Sequence, residues 1–384
     1  MSKSSTQVVI WDFPTRVFHW SLVISFALAW ISYDDDRYLA AHVYAGYVFF
    51  ALLLFRLIWG VIGTHYSRFR TFAYSWTSVS AYLKALLTGQ AMRHIGHNPI
   101  GGWAIFALLM LGMLISISGL LVMAGEEGHG PLSGLVSYNI GIFSGEIHEI
   151  LSWAMLGFVG VHVSGVIVES FIHKENLILS MLSGHKEGVP TSSGVQKHHF
   201  MGTVLLIGII ISGLLYFRGY LIETAENRYQ PYTGPQLPDN ALWRESCGEC
   251  HHAFHPSLMP KRSWQKTFDM QHEHFDEDLD FDETDYEELL AFHLDNAAES
   301  QLTEPARKIL YYTEADKTPL RITDTHYWVM KHEDIDDAYW KHEKVSGKWN
   351  CQACHLDAEQ NTYEDSSMRL PNLNADQANP SKTP

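Results

Sequence analysis

Cysteine is scarce in this 384-residue chain: there are four, and all four sit in two short knots, Cys247-x-x-Cys250 and Cys351-x-x-Cys354. That leaves none for a disulfide framework, and a disulfide across C-x-x-C is strained. A thioredoxin-like redox pair needs a βαβ setting that the sequence around either knot lacks. There is also no glycine-rich phosphate loop and no nucleophile triad, which excludes the commonest nucleotide and acyl-transfer chemistries. Positive charge is short as well. With 27 Lys and Arg against 43 Asp and Glu, the formal net charge is −16, which argues against a nucleic-acid surface.

What is present begins with the residue after each knot. His251 follows Cys250 and His355 follows Cys354, and C-x-x-C-H is the attachment signature of c-type haem: two thiols form thioethers with the porphyrin and the adjacent imidazole binds iron. Two C-x-x-C pairs are also a zinc pattern, but zinc gives no reason for a histidine directly after both.

The negative charge is unevenly divided. Residues 1–218 carry 12 basic and 11 acidic residues, whereas residues 219–384 carry 15 and 32. A mean hydropathy near zero therefore averages an apolar half with an acidic, polar one. Five apolar runs in the first half approach the length that crosses a bilayer: 17–32, 42–61, 101–123, 147–171 and 200–217. The first run, with "ALA" at 27–29, also has the look of a cleavable signal peptide. A histidine at its start gives a reason to keep it. Segments 1–16, 62–100 and 170–199 hold nine Lys and Arg, while 33–41 and 124–146 hold only Arg37. The positive-inside rule then puts the N-terminus in the cytoplasm. Five spans put the acidic half outside, the side on which c-type haem is attached in bacteria.

Ionisable residues within a membrane segment are functional candidates by default. His19 opens the first run and His42 the second, and the fourth carries His148 and His162. Fourteen residues span about 21 Å of helix and come close to four turns, so the last two share a face at two depths. Matching depths pairs His42 with His148 near the outer surface and His19 with His162 near the inner one. Each pair suits one b-type haem inside a helix bundle. Arg56 suits either a haem propionate or an ordinary inner anchor. Gly46, four residues after His42, offers close approach of a porphyrin to the backbone.

Residues 8 to 190, through "VWDFPTRVFHW", "HVYAGYVFFALLLFRLIWG" and "GHNPIGGW", resemble the bacterial cytochrome b561 and Ni-Fe hydrogenase cytochrome b superfamily. Residues 240 to 372, through "CGECHHAFHPSLMPKRSW", "HEHF", "RITDTHYW" and "NCQACH", resemble the DHC-type di-haem cytochromes c. The resemblance implies an all-α chain: a transmembrane four-helix di-haem b bundle (1–190), a fifth tethering helix (191–222), a mainly helical, loop-rich extracytoplasmic di-haem c domain (223–372) and a disordered tail (373–384). It carries over His19, His42, His148 and His162 as haem b ligands, with Cys247, Cys250, Cys351 and Cys354 binding the c haems covalently. It favours His274 opposite His251 and His332 opposite His355. Among the residues themselves, His255, His272 and His342 rival these distal ligands, and Met259 or Met270 would give a His/Met site.

The acidic run "FDEDLDFDETDYEELL" lacks the glycine and ligand order of a calcium loop, and Tyr286, Leu289, Leu290 and His293 share a helical face just beyond it. The expected function is electron transfer through two haems b and two haems c, from quinol to a periplasmic acceptor. The alternatives are a cytochrome subunit between a periplasmic dehydrogenase or hydrogenase and the quinone pool, and a haem-based sensor or reductase. The expected setting is the bacterial inner membrane, multi-pass, with a periplasmic redox partner that is basic or itself a haem protein. A homodimer or a larger respiratory complex fits this reading equally.

Overall fold

Asp12 starts the first helix. Its carboxylate accepts from the Thr15 N–H at 2.7 Å and so caps α1, Phe13–Ile31, with Pro14 in the first turn where a missing N–H does no harm. The other oxygen accepts from Trp59 Nε1, Thr64 Oγ1 and Ser67 Oγ at 3.3, 2.5 and 2.7 Å. One buried carboxylate thereby ties the start of α1 to the end of α2, Leu39–Ile62. The computed structural model describes residues 7–34, 38–187, 198–216, 218 and 235–372. The tail expected to be disordered, residues 191–197 of the expected tether and most of the stretch from 217 to 234 lie outside the described residues.

After the short α3, Trp76–Leu87, the long helices α4, Pro99–Gly125, and α5, Tyr138–His173, complete the bundle. Phe49 and Leu53 of α2, Leu109 of α4 and Met155 of α5 meet in its core, with Leu22 and Phe26 of α1 against them. α6, Leu177–Ser183, leads into β2, His185–Glu187, which pairs antiparallel with β1, Gln7–Val9. This two-stranded ribbon is a small departure from an all-α chain. α7, His199–Tyr216, lies against the bundle: Tyr216 stacks on Tyr44 of α2 at 4.2 Å, and Tyr44 Oη is 2.8 Å from Ser212 Oγ.

Among the described residues, α2, α4, α5 and α7 are long and apolar enough to cross a membrane. The 19-residue α1 is not one of these four. Ile58, Met110, Phe171 and Leu214 are each at least 60% exposed on these helices, an outward apolar surface that hydrocarbon satisfies and water does not.

The chain divides into two units, the second of which comprises Leu120–Phe143 and Tyr220–Pro384. Its helices are short, as the frequent turn residues require: α8, Ala241–Gly248, α9, Lys261–Asp269, α10, Glu283–Asp295, α11, Glu304–Tyr312, α12, His326–His332, and α13, Asp337–Lys341. Asn240, Asp282, Thr303, Thr325 and Asp336 cap five of them with their side chains. Trp243, Phe268 and Leu289 form one small core, and Leu258, Ile309, Tyr327 and Tyr363 another.

Residues 120–143 belong to this unit through polar contacts. Arg307 donates from Nη1 to Ala124 O at 2.6 Å and from Nη2 to Val136 O at 2.8 Å. It thus satisfies one of the carbonyls that the last turn of α4 leaves free. Beside it Lys308, 6% exposed, bonds the fully buried Glu304 at 2.6 Å and lies 3.9 Å from both Glu126 and Glu127. One ammonium facing three carboxylates leaves the cluster short of positive charge, and burial pushes Glu127 up to about 7 despite Lys308. His129 Nε2 lies 2.9 Å from Glu364 Oε2.

Two measurements follow. Lys308→Met strands buried carboxylates and should destabilise the second unit by about 3–5 kcal/mol, whereas Lys341→Met, in the exposed pair with Asp337, should stay within about 1 kcal/mol; denaturant melts compare them. Burial draws His129 down, but the hydrogen bond and charge of Glu364 carry it above its ordinary value. The stability from this pair is therefore complete below the ordinary histidine value of about 6.5 and fades as pH rises through the raised one. A pH series of melts should show that slope, and His129→Gln should flatten it.

Candidate haem-binding sites

An imidazole binds iron through a nitrogen with a free lone pair, and a hydrogen bond at the other nitrogen decides which one that is. In the bundle, His42 Nδ1 donates to Ala29 O at 2.9 Å, a carbonyl in the last turn of α1. His148 Nδ1 lies 3.0 Å from Ile115 O, to which it donates, and 3.1 Å from Ser118 Oγ, both on α4. Both rings are left with Nε2 free. Their centroids are 6.1 Å apart. Two imidazoles on opposite sides of one metal, each bonded at about 2 Å, bring their centroids to roughly 6 Å.

His148 approaches α4 this closely because residue 119 is glycine. A Cβ there would lie 3.1 Å from His148 Cε1. At the other level, His162 is near enough for its charge to act on His19, and His19 Nδ1 is buried with no hydrogen-bond partner among the described residues.

The second unit repeats the arrangement twice. The His251 and His274 rings face each other at 6.5 Å, and His332 and His355 at 6.2 Å. His251 Nδ1 donates to His252 O at 2.7 Å, and His332 Nδ1 to Trp328 O one turn back on α12 at 2.7 Å. His355 Nδ1 is buried without a partner. Burial holds His332 and His355 at about 4 and draws His274 below its ordinary value, so these rings are neutral near pH 7, the form that binds iron. Trp328 stacks on His332 at 4.2 Å, and Phe275 flanks His274 at 4.8 Å.

Two of the rival histidines, His255 and His342, are otherwise occupied. His255 accepts at Nδ1 from the Ser257 N–H and donates at Nε2 to Pro238 O, at 3.1 Å each, so neither nitrogen is free. His342 Nδ1 accepts from the Lys344 N–H, which puts the neutral ring's proton on Nε2. His272 bonds Asp278 at 2.8 Å on the surface. Met259 packs against Trp264 and Ala297.

None of the four cysteines forms a disulfide. Burial pushes the Cys247 and Cys351 thiols up to about 11, the environment of a buried, inert thiol and not of a nucleophilic thiolate. Among the described residues no three His, Cys, Asp or Glu side chains converge on a point that would hold a bare metal ion, unlike a four-ligand zinc site. The two motifs instead lie side by side. Gln352 Nε2 donates to His252 Nδ1 at 3.1 Å, and His252 Nε2 donates to Asn361 Oδ1 at 3.2 Å. A cavity of about 350 Å³ opens between them, lined by Gly248, His251 and Ala253 on one side and Asn350 and Gln352 on the other.

Nothing in residue type alone marks Ser118, Gly119 or the His252–Gln352 bridge. The small residues in "ISISG" at 115–119, inside a helix otherwise built of Leu, Ile and Met, were the available signal for the first two.

Facing imidazoles in an apolar bundle, joined to two attachment motifs in an acidic unit, define a membrane cytochrome carrying a c-type cytochrome. Residues 10–184 match the family described as prokaryotic cytochrome b561, and residues 243–363 the family described as dihaem cytochrome c. Residues 10–184 thus form a cytochrome b561 domain and residues 243–363 a dihaem cytochrome c domain. A probable Ni/Fe-hydrogenase B-type cytochrome subunit of Azotobacter chroococcum is 27% identical over 217 residues, 47% of this chain and 89% of that protein. The probable Ni/Fe-hydrogenase 1 B-type cytochrome subunit of Escherichia coli is 25% identical over 225 residues, 48% of this chain and 94% of that protein. The solved diheme cytochrome c from Rhodobacter sphaeroides is 30% identical, covering 34% of this chain and 100% of that one at a TM-score of 0.30. The protein is thus an integral-membrane haem b and haem c protein of electron transfer.

Gly119→Val places a branched side chain where His148 now lies and should remove one non-covalent haem per chain. Gly119→Ala asks for a shift of only a few tenths of an ångström and should keep it. Haem extraction from the two variants makes the comparison.

Proposed function

We propose that the chain conducts electrons across a bacterial inner membrane, from quinol to a periplasmic acceptor, with two haems b and two haems c. The observation that carries this reading is the recurrence of facing imidazoles at 6.1–6.5 Å in both halves of one chain. In this reading His42 with His148 and His19 with His162 hold the b haems. His251 with His274 and His355 with His332 hold the c haems, fixed through Cys247, Cys250, Cys351 and Cys354.

Bound haem supplies reversible one-electron chemistry at iron. The residues do the rest. Paired histidines leave no open coordination position, which favours electron passage over ligand sensing or peroxide turnover. Ala29 O, Ile115 O and Trp328 O orient the rings. The inner and outer b ligands lie about 21 Å apart along α5, so the two pairs divide the bilayer between them. The basic loops support a cytoplasmic N-terminus and a periplasmic C-terminal unit, and the acidic charge of that unit suits a basic partner or a haem protein with a basic face.

A second reading has its own support. The similar proteins of Azotobacter and Escherichia coli are described as hydrogenase cytochrome subunits, so the bundle here would pass electrons between a hydrogenase or dehydrogenase and the quinone pool. A metalloenzyme subunit co-purifying with the chain favours that version.

Pyridine haemochrome spectra before and after acid-acetone extraction should count two extractable and two covalent haems. His42→Ala and His148→Ala should each remove the same extractable haem. No extractable haem, or different haems lost in the two variants, overturns the b-haem assignment. Reduction of the c haems by a quinol analogue, abolished in His148→Ala, is expected for the conduit.

A further inference from the structure

One buried cation in the membrane half has no role in the ligand assignments. Arg56 stands on α2 fourteen residues after His42, and His162 stands on α5 fourteen residues after His148. Fourteen residues fall about 40° short of four full turns and advance about 21 Å. The face of α2 that presents His42 to His148 therefore presents Arg56 four turns further on, at the level where α5 presents His162. His97, half-buried just before α4, feels the charges of both Arg56 and His162, which places all three in one neighbourhood. At the outer level α2 contributes a histidine; at the inner level it contributes an arginine.

Arg56 is 4% exposed, so it does not reach out to headgroups as an anchoring arginine does. Phe69 and Phe72 cover the guanidinium, with ring centroids 4.7 and 5.9 Å from Cζ. Gly60, one turn along α2, makes room for that cover: a Cβ there would lie 2.1 Å from Phe69 Cε2. The nearby Asp12 carboxylate is already occupied by Thr15, Trp59, Thr64 and Ser67. Nη1 of Arg56 is buried with no hydrogen-bond partner among the described residues. A buried charged donor without an acceptor is costly, and an anion from outside the polypeptide would relieve it.

We propose that Arg56 binds a propionate carboxylate of the haem held by His19 and His162, which rests on the ligand reading given above for that pair. The planar guanidinium suits a carboxylate with two parallel N–H···O bonds. A cation at this place stabilises the reduced haem relative to the oxidised one, which carries one more positive charge.

The test uses the full chain in detergent, with haem extraction and spectroelectrochemical titration; the inner haem is the one missing from His19→Ala. In Arg56→Gln the inner haem should titrate at a lower potential, or be the only haem lost, while the outer haem stays where it was. An Arg56→Gln protein with both haems and an unmoved inner midpoint overturns the proposal. If that variant loses both haems, Arg56→Lys decides, because it keeps the charge and removes the fork. A displaced inner midpoint beside an unmoved outer one supports the contact, and two unmoved midpoints overturn it. A wild-type chain with fewer than two extractable haems overturns the ligand reading and this proposal with it, whereas two haems with an unmoved midpoint overturn this proposal alone.

Discussion

The outer pair of the bundle depends on keeping one nitrogen of each imidazole out of every hydrogen bond while the other is firmly held, and His251 and His332 repeat the pattern in the second unit. A histidine with both nitrogens engaged, such as His255, is a packing residue whatever its neighbours in sequence. His42 and His148 spend Nδ1 on carbonyls of adjacent helices, Ala29 O and Ile115 O. The same bonds that fix the tautomer therefore also fix α1 against α2 and α4 against α5. Ring orientation and helix packing are one constraint in the bundle. In the second unit the acceptor for His332 is its own helix, through Trp328 O, so a seven-residue helix is enough to aim the ring.

The halves solve opposite problems with charge. The bundle buries few charged groups and satisfies Asp12 completely within a ring of hydroxyls and an indole. The second unit is acidic overall and yet buries a cluster in which carboxylates outnumber ammonium groups. Lys331 adds a pairing with Asp365, but Glu304 and Glu127 remain under mutual repulsion. Such a site specifies one arrangement of α11 against the 126–137 loop and contributes less to stability than apolar packing would.

Much of this was legible in the sequence because it is local or periodic. The C-x-x-C-H knots are contiguous, and the fourteen-residue spacing of His148 and His162 is a property of one helix. The facing of His42 and His148 needs only a match of depths. The choice of His274 over His272 and His255 was not legible from residue type, since all three are imidazoles within about two dozen residues of the first motif. Backbone groups claim both nitrogens of His255, His272 pairs with Asp278 on the surface, and His274 is the one whose ring lies 6.5 Å from that of His251. Ser118 and Gly119 act on a residue some thirty positions away, and Gln352 meets His252 across a hundred. Sequence periodicity carries nothing about contacts of that range. The grouping of residues 120–143 with the C-terminal half was hidden for the same reason, and because Arg307 works through backbone carbonyls.

The fork of Arg307 gives one side chain two anchoring points within the second unit, Ala124 O and Val136 O, twelve positions apart. Both ends of the segment between them are held by a single guanidinium, so its loss would free the two ends together and leave the loop to close on α11 through Lys308.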